Sequence, residues 1–145
     1  NKKNHKQVNT HHFDYYKFKK TIKLNSKYSY ITFLDDAPAD HPDYKKLNIS
    51  PHAPLYLYKI NIIRIFKKIE NFYNCKIVVA GHPRMEGNQK HNKIFQGRKV
   101  IFNKTAELVA NSMLVITHAS ESVNFAVMSK KKNYLFKFKH IFTIL

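Results

Sequence analysis

Apolar residues recur at spacings of three and four between Pro54 and Tyr73, at Ile62, Ile65, Phe66, Ile69, Phe72 and Tyr73, while Lys59, Arg64, Lys67, Lys68 and Glu70 fall largely on the other side. This period predicts a helix that lays one face on a sheet, with Pro54 suited to its first turn. Asn74 and Cys75 leave room only for a tight turn before the period changes. The run Lys76-Ile-Val-Val-Ala-Gly-His82-Pro83-Arg84 opens with four consecutive apolar residues, which predicts a strand buried on both faces and ended by Gly81 and Pro83. Tyr28 to Asp36 predicts an earlier strand, stopped by two carboxylates and Pro38. Lys99 to Phe102 reads as a short strand, and Thr105 as the N-cap of a helix with Ala106, Leu108, Val109 and Met113 behind it. Met113 to His118 gives a further strand, Ser120 to Met128 a helix, and Asn133 to Phe138 a last strand after the turn Lys130-Lys131-Lys132. The polar stretch from Arg84 to His91 reads as a loop able to close over a ligand. Strands and helices alternating through short connections predict an α/β domain, a Rossmann-like parallel sheet with helices on both faces.

Length changes this picture little, since 145 residues suit one domain with a real core. Residues 1–27, rich in Lys, Asn and His among scattered aromatics, read as a polar linker or the tail of a missing N-terminal domain, with a short strand or helix around Phe13 to Phe18. Residues 28–145 form the nucleotide-binding candidate, and the polar start without Met and the apolar, Lys-rich end read as those of a piece of a longer chain. No apolar run approaches the roughly 18 residues of a membrane span and no signal peptide is visible, so the expected setting is cytoplasmic. Cys75 stands alone, which rules out an internal disulfide and a cysteine-based zinc site.

The formal charge of +17 invites a nucleic-acid reading. Arginine, however, occurs only at Arg64, Arg84 and Arg98, the lysines are spread along the chain, and abundant Asn, Ile, Lys, Tyr and Phe with scarce Gly match AT-rich coding. No specific nucleic acid is therefore expected, although peripheral contact with an anionic membrane, or attraction to an anionic substrate, fits the lysines at about 1 kcal/mol each.

In an open α/β sheet ligands bind beyond the carboxyl ends of the strands, which points to His82 and Arg84 after one strand and to His118, Ser120 and Ser122 after another. A phosphate there would meet hydroxyls and backbone N–H groups at a helix start, a hydrogen bond from His82 and a bidentate contact from Arg84. Asp35 and Asp36 suit a general base or a sugar-hydroxyl acceptor, and equally turn residues bonding their own backbone. His5, His11 and His12 lack an acidic or cysteine partner at ligand spacing, so no metal is expected, and no cofactor either. Three glycines leave no Gly-rich phosphate loop of the dinucleotide or nucleoside-triphosphate type, and no Gly-x-Ser-x-Gly elbow occurs, which removes the commonest oxidoreductase, ATPase and hydrolase assignments.

Phe33-Leu-Asp-Asp, His41-Pro-Asp, Val78-Val-Ala-Gly-His-Pro-Arg, Gly97-Arg-Lys-Val, Lys104-Thr-Ala-Glu-Leu-Val and Ile116-Thr-His-Ala-Ser-Glu-Ser-Val-Asn-Phe-Ala-Val together resemble the C-terminal domain of bacterial surface-carbohydrate glycosyltransferases, from about Tyr28 to Phe138. The resemblance implies one half of a two-Rossmann-domain (GT-B) architecture acting in capsule or lipo-oligosaccharide synthesis. It is similar in particular to transferases of CMP-activated sialic acid or Kdo, with a His-Pro motif followed by a Ser/Thr motif. It implies that His82 contacts the donor phosphate and helps the leaving group, with Ser120 and Ser122 on the same phosphate. The implied partners are a nucleotide-sugar donor, CMP-linked or else UDP- or GDP-linked, and an oligosaccharide or lipid-linked acceptor. The sequence departs from the pattern at Glu121, whose carboxylate would repel a phosphate. A sugar-nucleotide epimerase, which shares the architecture, and a basic nucleic-acid-binding module are the alternatives.

Overall fold

The computed structural model describes residues 13–21, 30–118, 120, 122–130 and 132–135. Five parallel strands are described: β1 (Tyr30–Leu34), β2 (Lys76–Ala80), β3 (Val100–Ile101), β4 (Leu114–Thr117) and β5 (Lys132–Leu135). They lie in the order β3-β2-β1-β4-β5. The chain steps outward from β1 to β3, returns to the other side of β1, and steps outward again, so the order reverses between β1 and β4. That reversal is the arrangement in which such sheets open a ligand crevice.

The helices are α1 (Phe13–Thr21), α2 (Pro42–Lys46), α3 (Leu55–Tyr73), α4 (Gln89–Asn92), α5 (Thr105–Ala110) and α6 (Val123–Met128). Side chains alternate across the sheet with period two, and both faces are buried. Ile31, Phe33, Ile77, Val79, Leu114 and Ile116 meet Tyr58, Ile62, Ile63 and Phe66 of α3 with Ile94 and Phe95. On the opposite face Leu34, Ala80 and Val115 meet Phe18 of α1, Leu108, Val109 and Ala110 of α5, and Phe125 and Ala126 of α6. A helix layer on each side of a parallel sheet is the Rossmann-like architecture expected from the alternation of elements.

Several boundaries differ from the expectation. Lys104 is the N-cap of α5 and Thr105 its first helical residue, with no side-chain capping bond. Met113 lies beyond that helix and packs toward the α3 side. On α3, Tyr58 and Ile63 are buried while Phe72 is 81% exposed. Glu70 turns inward, taking the guanidinium of Arg98 at 2.6 Å and the N–H of Ile77 at 3.0 Å, which ties the end of α3 to the start of β2. The stretch after His82 is not one loop: Pro83–Met85 and Lys93–Phe95 are 3-10 turns flanking α4. β5 starts at Lys132, and the expected strand residues Phe136 to Phe138 lie outside the described residues, as do His5, His11 and His12.

Register sets the edge that matters. Leu34 pairs with Ala80 on one side and with Thr117 on the other, so Asp35, Gly81 and His118 emerge level at the carboxyl edge of the sheet. Gly81 is required there: a Cβ would stand 2.4 Å from the Phe102 ring. Gly81→Ala should therefore lower stability by about 1–3 kcal/mol in urea unfolding, and by clearly less in a Phe102→Ala background, where the obstructing ring is gone.

Candidate functional site

The level strand ends are joined by a buried ionic cluster. Asp35, the first residue past β1, accepts the N–H of Ala37 at 2.9 Å and thereby holds its own turn, with Ala37 in a left-handed conformation. Its other oxygen takes Nε2 of His91 at 2.6 Å and the N–H of His82 at 3.4 Å. Nδ1 of His91 reaches Asp40 at 2.8 Å. Asn88 caps α4 by accepting the N–H of His91 at 3.1 Å, which fixes the ring's approach. The His91 side chain is fully buried. Burial alone would favour the neutral ring, but hydrogen bonds and charge from Asp35 and Asp40 outweigh it and raise the pKa to about 9. His91 is thus an imidazolium between two carboxylates, and it ties the β2–β3 connection to the loop after β1.

Two histidine turns stand beside this cluster, built alike. His82 precedes Pro83, and its Nδ1 accepts the N–H of Arg84 at 3.3 Å. His41 precedes Pro42, the first residue of α2, and its Nδ1 accepts the N–H of Asp43 at 3.2 Å. A ring nitrogen that accepts a backbone N–H carries no proton, so in both rings the hydrogen resides on Nε2. The ring centroids are 4.7 Å apart, edge to face, and the Arg84 guanidinium pairs with the Asp43 carboxylate to link the two turns. His82 is half-buried; burial pushes its pKa down, helped by His41 and Arg84 and opposed by Asp35. This favours the neutral ring, a hydrogen-bond donor without full charge.

The sequence-predicted residues divide between this cluster and the other side of the switch point. Asp35, His82 and Arg84 come together, with Asp35 serving its own turn and His91. Asp36 is half-buried in the same loop. His118, level with Asp35, turns toward the α3 core, where its Nε2 lies 3.4 Å from the Tyr58 hydroxyl and its ring meets Phe33 edge-on at 5.1 Å. The Tyr58 pKa is raised, by burial first and then by Asp35, Asp36 and Asp40. Ser120 uses its hydroxyl to accept the N–H of Ser122 at 3.3 Å and gives its own N–H to the Thr117 hydroxyl at 3.2 Å. α6 begins at Val123, later than the expected Ser120, with Ser122 as its N-cap and no side-chain capping bond. The serines therefore occupy a turn between β4 and α6, and Glu121 lies outside the described residues. Among the described residues no group of three or more His, Cys, Asp or Glu is placed to hold a metal.

Sequence reasoning missed His91, Asp40 and His41. His91 left one trace, Ile94 and Phe95 following it at three and four residues, the spacing of a helical turn with a buried face. His41 left a clearer one, since His-Pro followed by a charged residue occurs twice.

No family model and no curated protein matches the chain. Among solved structures, the UDP-GlcNAc 2-epimerase of Methanocaldococcus jannaschii, in complex with UDP-GlcNAc and UDP, superposes with a TM-score of 0.49 at 18% identity, over 82% of this chain and 31% of that one. The chain thus spans about a third of that protein's length.

The raised pKa of His91 makes the cluster pH-sensitive with a defined sign. A histidine whose folded pKa lies above its ordinary value near 6.5 contributes stability that is full below that value and lost as pH rises through 9. Urea unfolding at pH 6.5 and at pH 9.5 should show a loss of up to about 3 kcal/mol in the parent chain, and little of it in His91→Gln. Equal pH dependence in the two proteins would remove the imidazolium from the account.

Proposed function

We propose that the chain is the donor-binding half of a nucleotide-sugar glycosyltransferase of bacterial surface-carbohydrate synthesis. The observation that carries this reading is the pair of His-Pro turns at the carboxyl edge, beside the switch point of the sheet. Each ring is locked through Nδ1, and neither Nε2–H has a protein acceptor among the described residues. Donors fixed in this way suit a phosphate oxygen better than a metal, which needs an unprotonated nitrogen.

In this reading His82 hydrogen-bonds the phosphate that leaves with the nucleotide, and His41 supports it from the neighbouring turn. As the bond to the sugar breaks, charge gathers on that phosphate, and a donor already oriented strengthens its hydrogen bond without reorganising. Arg84, with its side chain 56% exposed and anchored by Asp43, offers its remaining guanidinium N–H groups at the same edge. Ser120 and Ser122, in the turn after β4, bound the crevice from the other side of the switch point. Asp35 and His118 act behind the surface as positioning groups, and Asp36 is the remaining candidate for a sugar hydroxyl. CMP-sugars are the favoured donors, with UDP- and GDP-sugars as the other candidates, and the acceptor is an oligosaccharide or a lipid-linked glycan. A sugar-nucleotide epimerase would use the same nucleotide half, so product analysis with the full-length protein, transfer against epimerisation, separates the two.

A thermal-shift panel of CMP, CDP, UDP and GDP tests the site, because a ligand bound only by the folded state raises the midpoint. At least one should stabilise the chain, and stabilisation by none would remove the donor site. His82→Ala should weaken nucleotide binding about 10- to 100-fold, the scale of a hydrogen bond to a charged group, with the unliganded stability lowered only by about 1 kcal/mol for the lost turn cap. Unchanged affinity would take His82 out of the site.

A further inference from the structure

The exposed face of α3 is not an ordinary solvated surface. Of the eight large hydrophobic residues exposed among the described residues, four lie on α3: Leu55, Tyr56, Ile60 and Phe72. Tyr56, Ile60, Arg64 and Lys68 follow one another at spacings of four, which places them on one stripe of the helix, opposite the buried Tyr58, Ile62 and Phe66. Lys67 borders that stripe. Beside its first turn a groove of about 420 Å³ runs between α3 and the segment after His82, lined by Leu55, Tyr56, Lys59, Lys90, Lys93 and Ile94.

Charge on this side is one-sided, and the structure shows how. Lys59, Arg64, Lys67 and Lys68 on α3, and Lys90 and Lys93 across the groove, are all exposed. Three acids in these segments are held by cations of their own, Asp40 by His91, Asp43 by Arg84 and Glu70 by Arg98, and exposed Glu86 takes the Asn103 amide. Six exposed cations therefore act outward against the one exposed carboxylate of these two segments, Glu86. Aliphatic and aromatic side chains mixed with cations on one helix face fit an interface that is anionic at its surface and apolar just beneath. Bare polyanions such as nucleic acid would leave Tyr56 and Ile60 without a use, and a second copy of the same face would be repelled.

We propose that the outer face of α3, together with the lysine-lined groove at its first turn, docks the protein on an anionic lipid surface. α3 starts at the carboxyl edge of the sheet, because it follows β1 and returns the chain to the start of β2. The groove is lined by the first turns of α3, so it lies near that carboxyl edge. Docking here would bring the donor site to the surface where a lipid-linked acceptor resides, yet the contact itself does not depend on the nucleotide reading.

The chain contains no tryptophan, so Ile60→Trp provides a single reporter. With vesicles of phosphatidylcholine containing about a quarter phosphatidylglycerol, its emission should shift to the blue, and pure phosphatidylcholine should leave it unchanged. Co-sedimentation of the parent chain with the anionic vesicles should weaken at least tenfold in Lys67→Glu/Lys68→Glu, since each basic residue near the surface accounts for about a fivefold change. It should weaken several-fold in Tyr56→Ser/Ile60→Ser, with unfolding midpoints near the parent value. An unshifted reporter on sedimented vesicles would overturn the proposal, because the protein would then be bound by another face. So would binding of duplex DNA at least as tight as binding of vesicles, with neither contact changed in Tyr56→Ser/Ile60→Ser.

Discussion

A charged imidazole shut away from water persists only where both of its N–H groups meet anionic acceptors, and His91 finds them in Asp35 and Asp40. Two long connections meet in that contact. Asp35 and Asp40 bracket the loop after β1, while His91 belongs to the helical segment after β2, so the ion cluster closes one connection onto the other. Asp35 extends the tie to the backbone of His82. Removing one member would leave an uncompensated charge in the interior, at a cost of several kcal/mol. The geometry of the carboxyl edge thus rests on electrostatics below the surface, while the edge itself stays free to meet a ligand.

Above the cluster, one local solution is used twice. Proline after histidine presets the backbone of the turn, and the ring reaches past it to cap the next N–H, which leaves little conformational freedom to lose on binding. The Asp43 and Arg84 side chains join the two turns although they lie 41 residues apart in sequence. Parallel register does the remaining placement by making β1, β2 and β4 end at one level. Turn chemistry orients the rings, register sets their height, and the buried cluster holds the connections that carry them.

Much of the fold was legible because burial on both faces leaves a strong mark: the runs at β1, β2 and β4 are continuous and apolar, and α3 shows its period. The orientation of α3 was legible only in part. Apolar residues occur on more than one of its faces, and pattern alone could not decide that Tyr58 faces the core and Phe72 faces outward. The site divides in the same manner. His82 could be placed because it ends a recognisable strand. His91 could not, because its single trace, Ile94 and Phe95 one helical turn on, says that the ring is buried and not what clamps it, and its partner Asp40 is 51 residues away. The start of α6 was misplaced for a chemical reason: serine hydroxyls bond backbone N–H groups in turns as readily as at helix caps.

The three members of the buried cluster also constrain how this sequence can change over time. Losing His91 alone strands two carboxylates, and losing either aspartate alone strands part of a proton-rich ring, so each single step away passes through a weakened protein. Only coordinated replacement, an amide for a carboxylate together with a ring that stays neutral, keeps every buried polar atom matched. Positions 35, 40 and 91 should therefore drift as a unit, in contrast to the lysine coat, where one residue can be exchanged for another with little consequence for the fold.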